Sequence, residues 1–170
     1  KIGRRLAMKL LNASKFALSM TEDAGLCLDP AKVIIPLDKA VIARLSEVIT
    51  AATDAFERYD HTRALEQTES FFWDFCDNYL ELVKDRAHNF SGKWQEDAQD
   101  SARCALAIVV DNVTRLLAPF LPYSAEEVWS WYRTGSVHIA PWPSVSPELK
   151  QVAGDSQLLK LAGDTLSVLR

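Results

Sequence analysis

Lys1, Arg5, Lys9, Asn12 and Phe16 follow one another at steps of 4, 4, 3 and 4, which on a helix gathers them into a stripe roughly 80° wide. Cations, an amide and an aromatic ring on one ridge suit an unpaired nucleic-acid strand. Charge meets phosphate, donors meet base edges, and the ring can stack on a base. The first twenty residues hold five basic side chains and no acidic one, while the whole chain has a net charge of −4, so the other 150 residues carry −9. Contact with a polyanion is therefore expected only at this ridge, and a protein that coats DNA with its whole surface is excluded. Ile2, Leu6, Leu10, Ala13, Ala17 and Met20 fall on the opposite side, where they can enter a core. A solvated charged face is the competing interpretation of such a stripe.

Covalent chemistry has little to work with. His61, His88 and His138 are isolated and form no HExxH or comparable metal spacing, so no metal site is expected. No GxSxG elbow, no GxxxxGK[ST] loop and no GxGxxG loop occurs, and only six glycines are available to cradle a phosphate. Carboxylate pairs such as Glu126 with Glu127 and Glu66 with Glu69 fall on predicted helix surfaces, where solvation accounts for them. No catalytic residue is assigned.

The elements that must position the ridge are helical. A period of 3.6 dominates, and its punctuation predicts an all-α bundle of about six helices, with a short extended segment near 136–143. The first helix runs to about Met20 and stops in a loop containing Gly25, Pro30 and Pro36, in which Val33 to Ile35 are expected to be extended. The second carries Val41, Leu45, Val48, Ala52, Ala55, Phe56 and Tyr59 and ends near Asp60. Asp60 is placed to cap the third. This longest helix, to about His88, has an inner stripe of Leu65, Thr68, Phe72, Cys76, Tyr79 and Val83, widened by Phe71, Trp73 and Phe75, and is expected at the bundle centre. Tyr79 and Trp73 are assigned to packing. The fourth uses Ala102, Leu106, Val109, Val113, Leu116 and Leu117 and ends before Pro119. Ser124 with Glu127 has capping-box spacing for a short fifth helix that stops at Gly135. Trp142, between two prolines, is expected to plug one end of the bundle, and a last amphipathic helix begins near Ser156.

A chain of 170 residues with 48% hydrophobic content buries around 70% of its unfolded surface and needs no cross-link. Cys27, Cys76 and Cys104 are odd in number and contain no CxxC pair, which argues against a disulfide framework and for a reducing, intracellular setting. No apolar run of about 18 residues and no leader pattern occurs, so a cytoplasmic protein without membrane contact is expected. The chain opens and closes inside helical patterns and reads as a piece of something longer. Its organisation divides into a leading helix at 1–20, a bundle at 21–145, and a linker with the start of a further helix at 146–170.

Four stretches carry a resemblance beyond periodicity: IGRRLAMKLLNASKF at 2–16, ALEQTESFFWDFCDNYLELVKDR at 64–86, LLAPFLPYSAEEVW at 116–129 and SVHIAPWP at 136–143. Together they resemble, in family order, the anticodon-binding helical bundle of the class I valyl-tRNA synthetases. FCDNYLELVK is closer to the valine pattern than to those of the isoleucine and leucine enzymes, which share the bundle. The isoleucine enzyme is the nearest alternative.

The resemblance implies that the bundle binds the anticodon stem-loop of tRNA(Val), while catalytic and editing domains of the same parent chain lie elsewhere. The parent would be a monomer that activates valine with ATP and Mg and transfers it to the tRNA. The fragment itself would hold no cofactor and be inactive, since the HIGH and KMSKS motifs are missing. The family's anticodon readers map onto Lys9, Phe16 and Leu80. Phe16 would stack a base, Leu80 would wall its other side, and Lys9 would bond a base edge or phosphate. Lys1, Arg4, Arg5 and Asn12 would contact the tRNA backbone, with Lys15, Lys84 and Arg86 as weaker candidates. Asn78 departs from the family by standing where many members carry an aromatic residue. A protein-interaction scaffold presenting Trp131 and Tyr132, or a helical enzyme with an unrecognised site, remains as a rival reading.

Overall fold

The computed structural model of the protein describes residues 2–21, 26–152 and 154–169, and Lys1 lies outside them. The helices are α1 (Ile2–Ser19), α2 (Pro36–Glu57), α3 (His61–Asp74), α4 (Leu80–His88), α5 (Glu96–Leu117), α6 (Pro122–Ser130), α7 (Pro147–Val152) and α8 (Gln157–Leu169), and no strand occurs among the described residues. A single π-helical turn, Phe75–Tyr79, joins α3 to α4. The rod from 61 to 88 is therefore one element, and the expected six helices appear with α7 as an addition.

Leu6, Leu10, Ala13, Ala17 and Met20 of α1 are buried as its periodicity predicts, packed against α5 and α6. Nothing is described for the side chain of Ile2. The centre of the bundle is α5 rather than the predicted 61–88 rod. Its residues from Ser101 to Leu117 are buried except Arg103 and Arg115, and it touches α1, α2, α3, α4 and α6. Alanines at 102, 105 and 107 let neighbours approach on several sides, so a helix with an ordinary amphipathic pattern is enclosed all round.

Local signals are partly overridden. Tyr59, expected on the inner stripe of the second helix, lies beyond the end of α2 at Glu57, where a left-handed φ of 60° turns its ring outward to 85% exposure. Asp60 caps α3 as expected, its Oδ1 accepting from Arg63 N at 3.0 Å. Ser124 caps nothing; α6 starts two residues earlier at Pro122, whose fixed φ suits the first helical turn. Glu126 instead accepts from Ser136 Oγ at 2.9 Å and Val137 N at 3.0 Å. The segment expected to be extended near 136–143 contains a 3-10 turn, Val137–Ile139, between extended Ser136 and Ala140. Trp142 meets Phe56 edge-on at 5.1 Å and donates to Thr53 Oγ1 at 2.9 Å.

The largest departure from the sequence reading is covalent: Cys27 and Cys104 are joined in a disulfide, with Cα atoms 4.8 Å apart. Their separation of 77 residues hides the pairing, which depends on the loop before α2 crossing α5. In the chain-entropy account, closing a loop of that length stabilises the fold by about 4–5 kcal/mol. Cys76 is the free cysteine, buried in the core.

Asp38, in the first turn of α2, is fully buried. Its carboxylate accepts from Arg86 Nη1 and Nη2 at 2.6 Å each, from Tyr79 Oη at 2.8 Å and from Ser101 Oγ at 2.6 Å. Ser101 Oγ in turn accepts from Ile34 N at 3.0 Å and Ile35 N at 3.1 Å. This removes Arg86 from the RNA-contact candidates, because its guanidinium faces the interior. Burial opposes the charge on Arg86, but the bonds to Asp38 outweigh it and hold its pKa above the ordinary value. Burial and then the Asp38 charge push the Tyr79 phenol well above its usual range.

Asp38→Ala leaves the Arg86 charge buried without its partner and is expected to cost about 3–5 kcal/mol in a urea unfolding titration. Burial also raises the Cys76 thiol from 9.0 to about 12. The folded state thus favours the protonated thiol, a contribution fully present below pH 9 and lost as pH rises toward 12. In alkylation followed by peptide mapping without reductant, Cys76 is expected to resist labelling at pH 8 until the protein is unfolded, while Cys27 and Cys104 emerge as one linked peptide.

Candidate nucleic-acid interface

α1 is built from good helix formers, Ala, Leu, Lys and Arg, and its apolar face is consumed by α5 and α6. The charged ridge is therefore left on the outside, facing α3 and α4 across a gap that side chains span. Arg5 and Lys9 lie over the Trp73 ring at 5.7 and 5.3 Å. Lys9 Nζ is 2.8 Å from Asp77 Oδ1, and Phe16 meets His88 with ring centroids 6.2 Å apart. These partners ascend together in sequence, so α1 and the 61–88 rod run side by side in the same direction.

Arg4, Arg5, Met8, Lys9, Asn12 and Trp73 line a shallow groove along this seam. Phe16 is 38% exposed and Arg4, Arg5 and Asn12 face solvent. Lys9 keeps a third of its side-chain surface exposed. An exposed ion pair like Lys9 with Asp77 is worth about 0–1 kcal/mol, so an incoming phosphate or base edge can displace it. Among the described residues Arg4, Arg5 and Lys15 form no ion pair.

The other predicted residues are more dispersed. Leu80 opens α4 directly after the π turn, its N–H donating to the Phe75 carbonyl, and only 5% of it is exposed. Lys84 is exposed and paired with Glu81 at 2.8 Å. Lys15 turns toward a separate cleft shared with Leu18, Glu127, Trp131 and Tyr132. Asn78 is half-buried beneath α8: a Cβ on Gly163 would come within 2.9 Å of its Nδ2. The Asn78 side-chain amide is turned toward α8 and donates to Asp74 Oδ1. Lys1 lies outside the described residues.

Sequence reasoning missed Trp73, Met8 and the end of α4. Trp73 was assigned to packing, yet one face of its ring supports two cations, and its indole N–H is held by Glu69 Oε1 at 3.1 Å. The available signal was the fourfold step between Glu69 and Trp73, which leaves the ring on the flank of the rod. Beyond α4, Asn89 adopts a left-handed conformation at φ 54° and ends the helix. Its side chain accepts from Trp94 N at 3.0 Å, while Asp85 accepts from Trp94 Nε1 at 2.9 Å and Ser91 Oγ at 3.2 Å. The Trp94 bond foremost holds the Asp85 carboxyl below the usual carboxylate range.

Among the described residues no group of three or more His, Cys, Asp or Glu side chains could hold a metal ion, and no helix is long and apolar enough to cross a membrane.

Residues 38–170 match the family described as the anticodon-binding domain of tRNA ligase. Valine–tRNA ligases are similar over the whole chain, at 53% identity in Thermobifida fusca, 48% in Leifsonia xyli and 46% in Cutibacterium acnes. The chain spans 19% of the length of each of these relatives. Among solved structures, a LeuRS from Agrobacterium radiobacter K84, in a ternary complex with tRNA and LeuAMS, aligns with a TM-score of 0.59 over 87% of this chain and 16% of its own, at 21% identity. At that identity the likeness speaks for the fold. The chain belongs to the family of anticodon-binding domains of tRNA ligases.

Proposed function

We propose that this chain is the tRNA-gripping part of a valine–tRNA ligase and that it holds the anticodon stem-loop of tRNA(Val) in the groove between α1 and the 61–88 rod. The observation that carries the reading is the outward ridge of α1, where Arg5 and Lys9 sit over Trp73 in the groove and an exposed Phe16 lies farther along the same face beside His88. In this reading Phe16 stacks an unpaired base, Lys9 leaves Asp77 for a base edge or phosphate, and Leu80 forms the apolar floor beneath. Arg4, Arg5 and Lys1 neutralise backbone phosphates, Asn12 donates a hydrogen bond to a backbone oxygen, and together they set register without reading sequence. Lys84 flanks the path, and Lys15, at the mouth of the neighbouring cleft, reaches it only by swinging back toward Phe16. Trp73 keeps Arg5 and Lys9 poised by cation–π contact.

The whole enzyme would carry the chemistry in catalytic and editing domains elsewhere in the same polypeptide, using ATP and Mg to activate valine. We place that enzyme in the cytoplasm as a monomer, with this chain organised as a leading helix at 1–20, the bundle at 21–145, and a linker with the start of a further helix at 146–170. Identity to valine enzymes from several bacteria supports valine over isoleucine. The scaffold reading has weaker support, because Tyr132 is half-buried against Trp129 and leaves Trp131 as the exposed ring of that pair.

Combining Phe16→Ala with Lys9→Ala is expected to weaken binding of a valine anticodon stem-loop by about 1–3 kcal/mol in a titration at fixed salt, the usual range for a lost stacking contact. An isoleucine stem-loop titrated in parallel should bind less well; equal affinity counts against the valine assignment. The logarithm of affinity should also fall with the logarithm of salt concentration, with a slope of about 0.7 for each phosphate neutralised. Arg4→Ala and Arg5→Ala should each flatten that line, and unchanged slopes would remove the two arginines from the backbone contacts.

A further inference from the structure

The exposed aromatic surface does not end at Phe16. His88, in the last turn of α4, sits 6.2 Å from the Phe16 ring, and its other neighbour is Phe90, stacked at 4.4 Å with 22° between planes. Phe90 is 78% exposed. One face of its ring is covered by His88, and the rest of the ring is open to a partner. Its loop is also firmly organised. Left-handed Asn89 turns the chain, and bonds from Trp94 to Asn89 and Asp85 tie residues 89–94 back onto α4. The loop backbone is thus organised before any partner arrives and the ring rests on His88, which lowers the ordering entropy that stacking on it costs.

We propose that Phe90 and His88 form a second stacking platform, taking an unpaired base of the same RNA loop next to the one assigned to Phe16. The inference rests on the anticodon-binding reading above and extends it to a position outside the basic ridge. The chemistry suits a nucleobase. A flat ring presented face-out accepts a flat π-surface, and the cations of α1 lie along the same seam to hold the connecting phosphates. The three rings ascend from Phe16 through His88 to Phe90, so successive bases of one strand can be accommodated in order. A periodicity analysis cannot find this platform, because its outermost ring lies beyond the helix.

The test uses the 170-residue chain and a valine anticodon stem-loop carrying 2-aminopurine at one loop position at a time. Wild-type protein should change the 2-aminopurine emission at the base taken by Phe90. Phe90→Ala should abolish that change and weaken affinity about fivefold or more. Phe90→Leu, which keeps bulk without a flat face, should behave like the alanine variant, and Phe90→Trp should restore both signals. Since Phe90 is exposed, these variants should keep the wild-type urea midpoint. If Phe16→Ala weakens binding while Phe90→Ala and Phe90→Leu match wild type, the second platform is wrong and the anticodon reading stands. If wild-type protein does not bind the stem-loop at all, both fall.

Discussion

A carboxylate without water dictates much of this architecture. Asp38 is sealed inside the bundle, where an ionised group is tolerated only if donors surround it. The donors come from distant parts of the chain: the phenol of Tyr79 in the π turn, the guanidinium of Arg86 in α4 and the hydroxyl of Ser101 in α5. Ser101 also satisfies two backbone N–H groups of the strap leading into α2. The start of α2 supplies further compensation through its positive end. Once these groups converge, the 61–88 rod is locked in rotation and height against α5. α1 is packed on the same α5, so the gap between α1 and the rod is set indirectly by a residue that never reaches the surface.

That gap explains why the interface has mobile and fixed parts. α1 and the rod are bridged by long side chains rather than by close backbone packing. The cations can therefore exchange partners, while Trp73, His88 and Phe90 hold their planes through hydrogen bonds and ring contacts. Charge supplies attraction with loose geometry, and the rings supply positions. Because the residues after the first twenty carry a net charge of −9, a polyanion would be attracted along this seam and repelled elsewhere.

How much of this could be read in advance depended on the range of the determining interactions. The buried stripe of α1 and the Asp60 cap are local, and periodicity and capping chemistry identified them. The ridge holding Lys9 and Phe16 emerged for the same reason. Asp38 carries no local signal of its role, since nothing adjacent in sequence announces Tyr79, Arg86 and Ser101. Arg86 consequently passed for a surface cation. The disulfide escaped because spacing within sequence says little about cysteines joined by a crossing loop. α5 was underestimated because small residues make a weak stripe while permitting burial on every side. Phe90 depended on a left-handed asparagine, a single backbone reversal that no repeat records.

The π turn has a consequence for how the family can vary. Buried residues along the rod fall at 64, 68, 71 and 72, 75 and 76, 79 and 80, 83, then 86 and 87, slightly later each turn than 3.6 residues would place them. The rod holds one residue more than a regular helix needs to connect the phenylalanine layer with Arg86. Straightening it at constant length would swivel everything downstream by about 100° and carry the guanidinium off its acid. Deleting a single surplus residue there would spare both ends, whereas the same deletion elsewhere in the rod would scramble its faces. Because that spare length lies beside α1 and includes Asp77, the partner of Lys9, evolution can shorten or rewrite the rim of the groove while leaving the interior untouched.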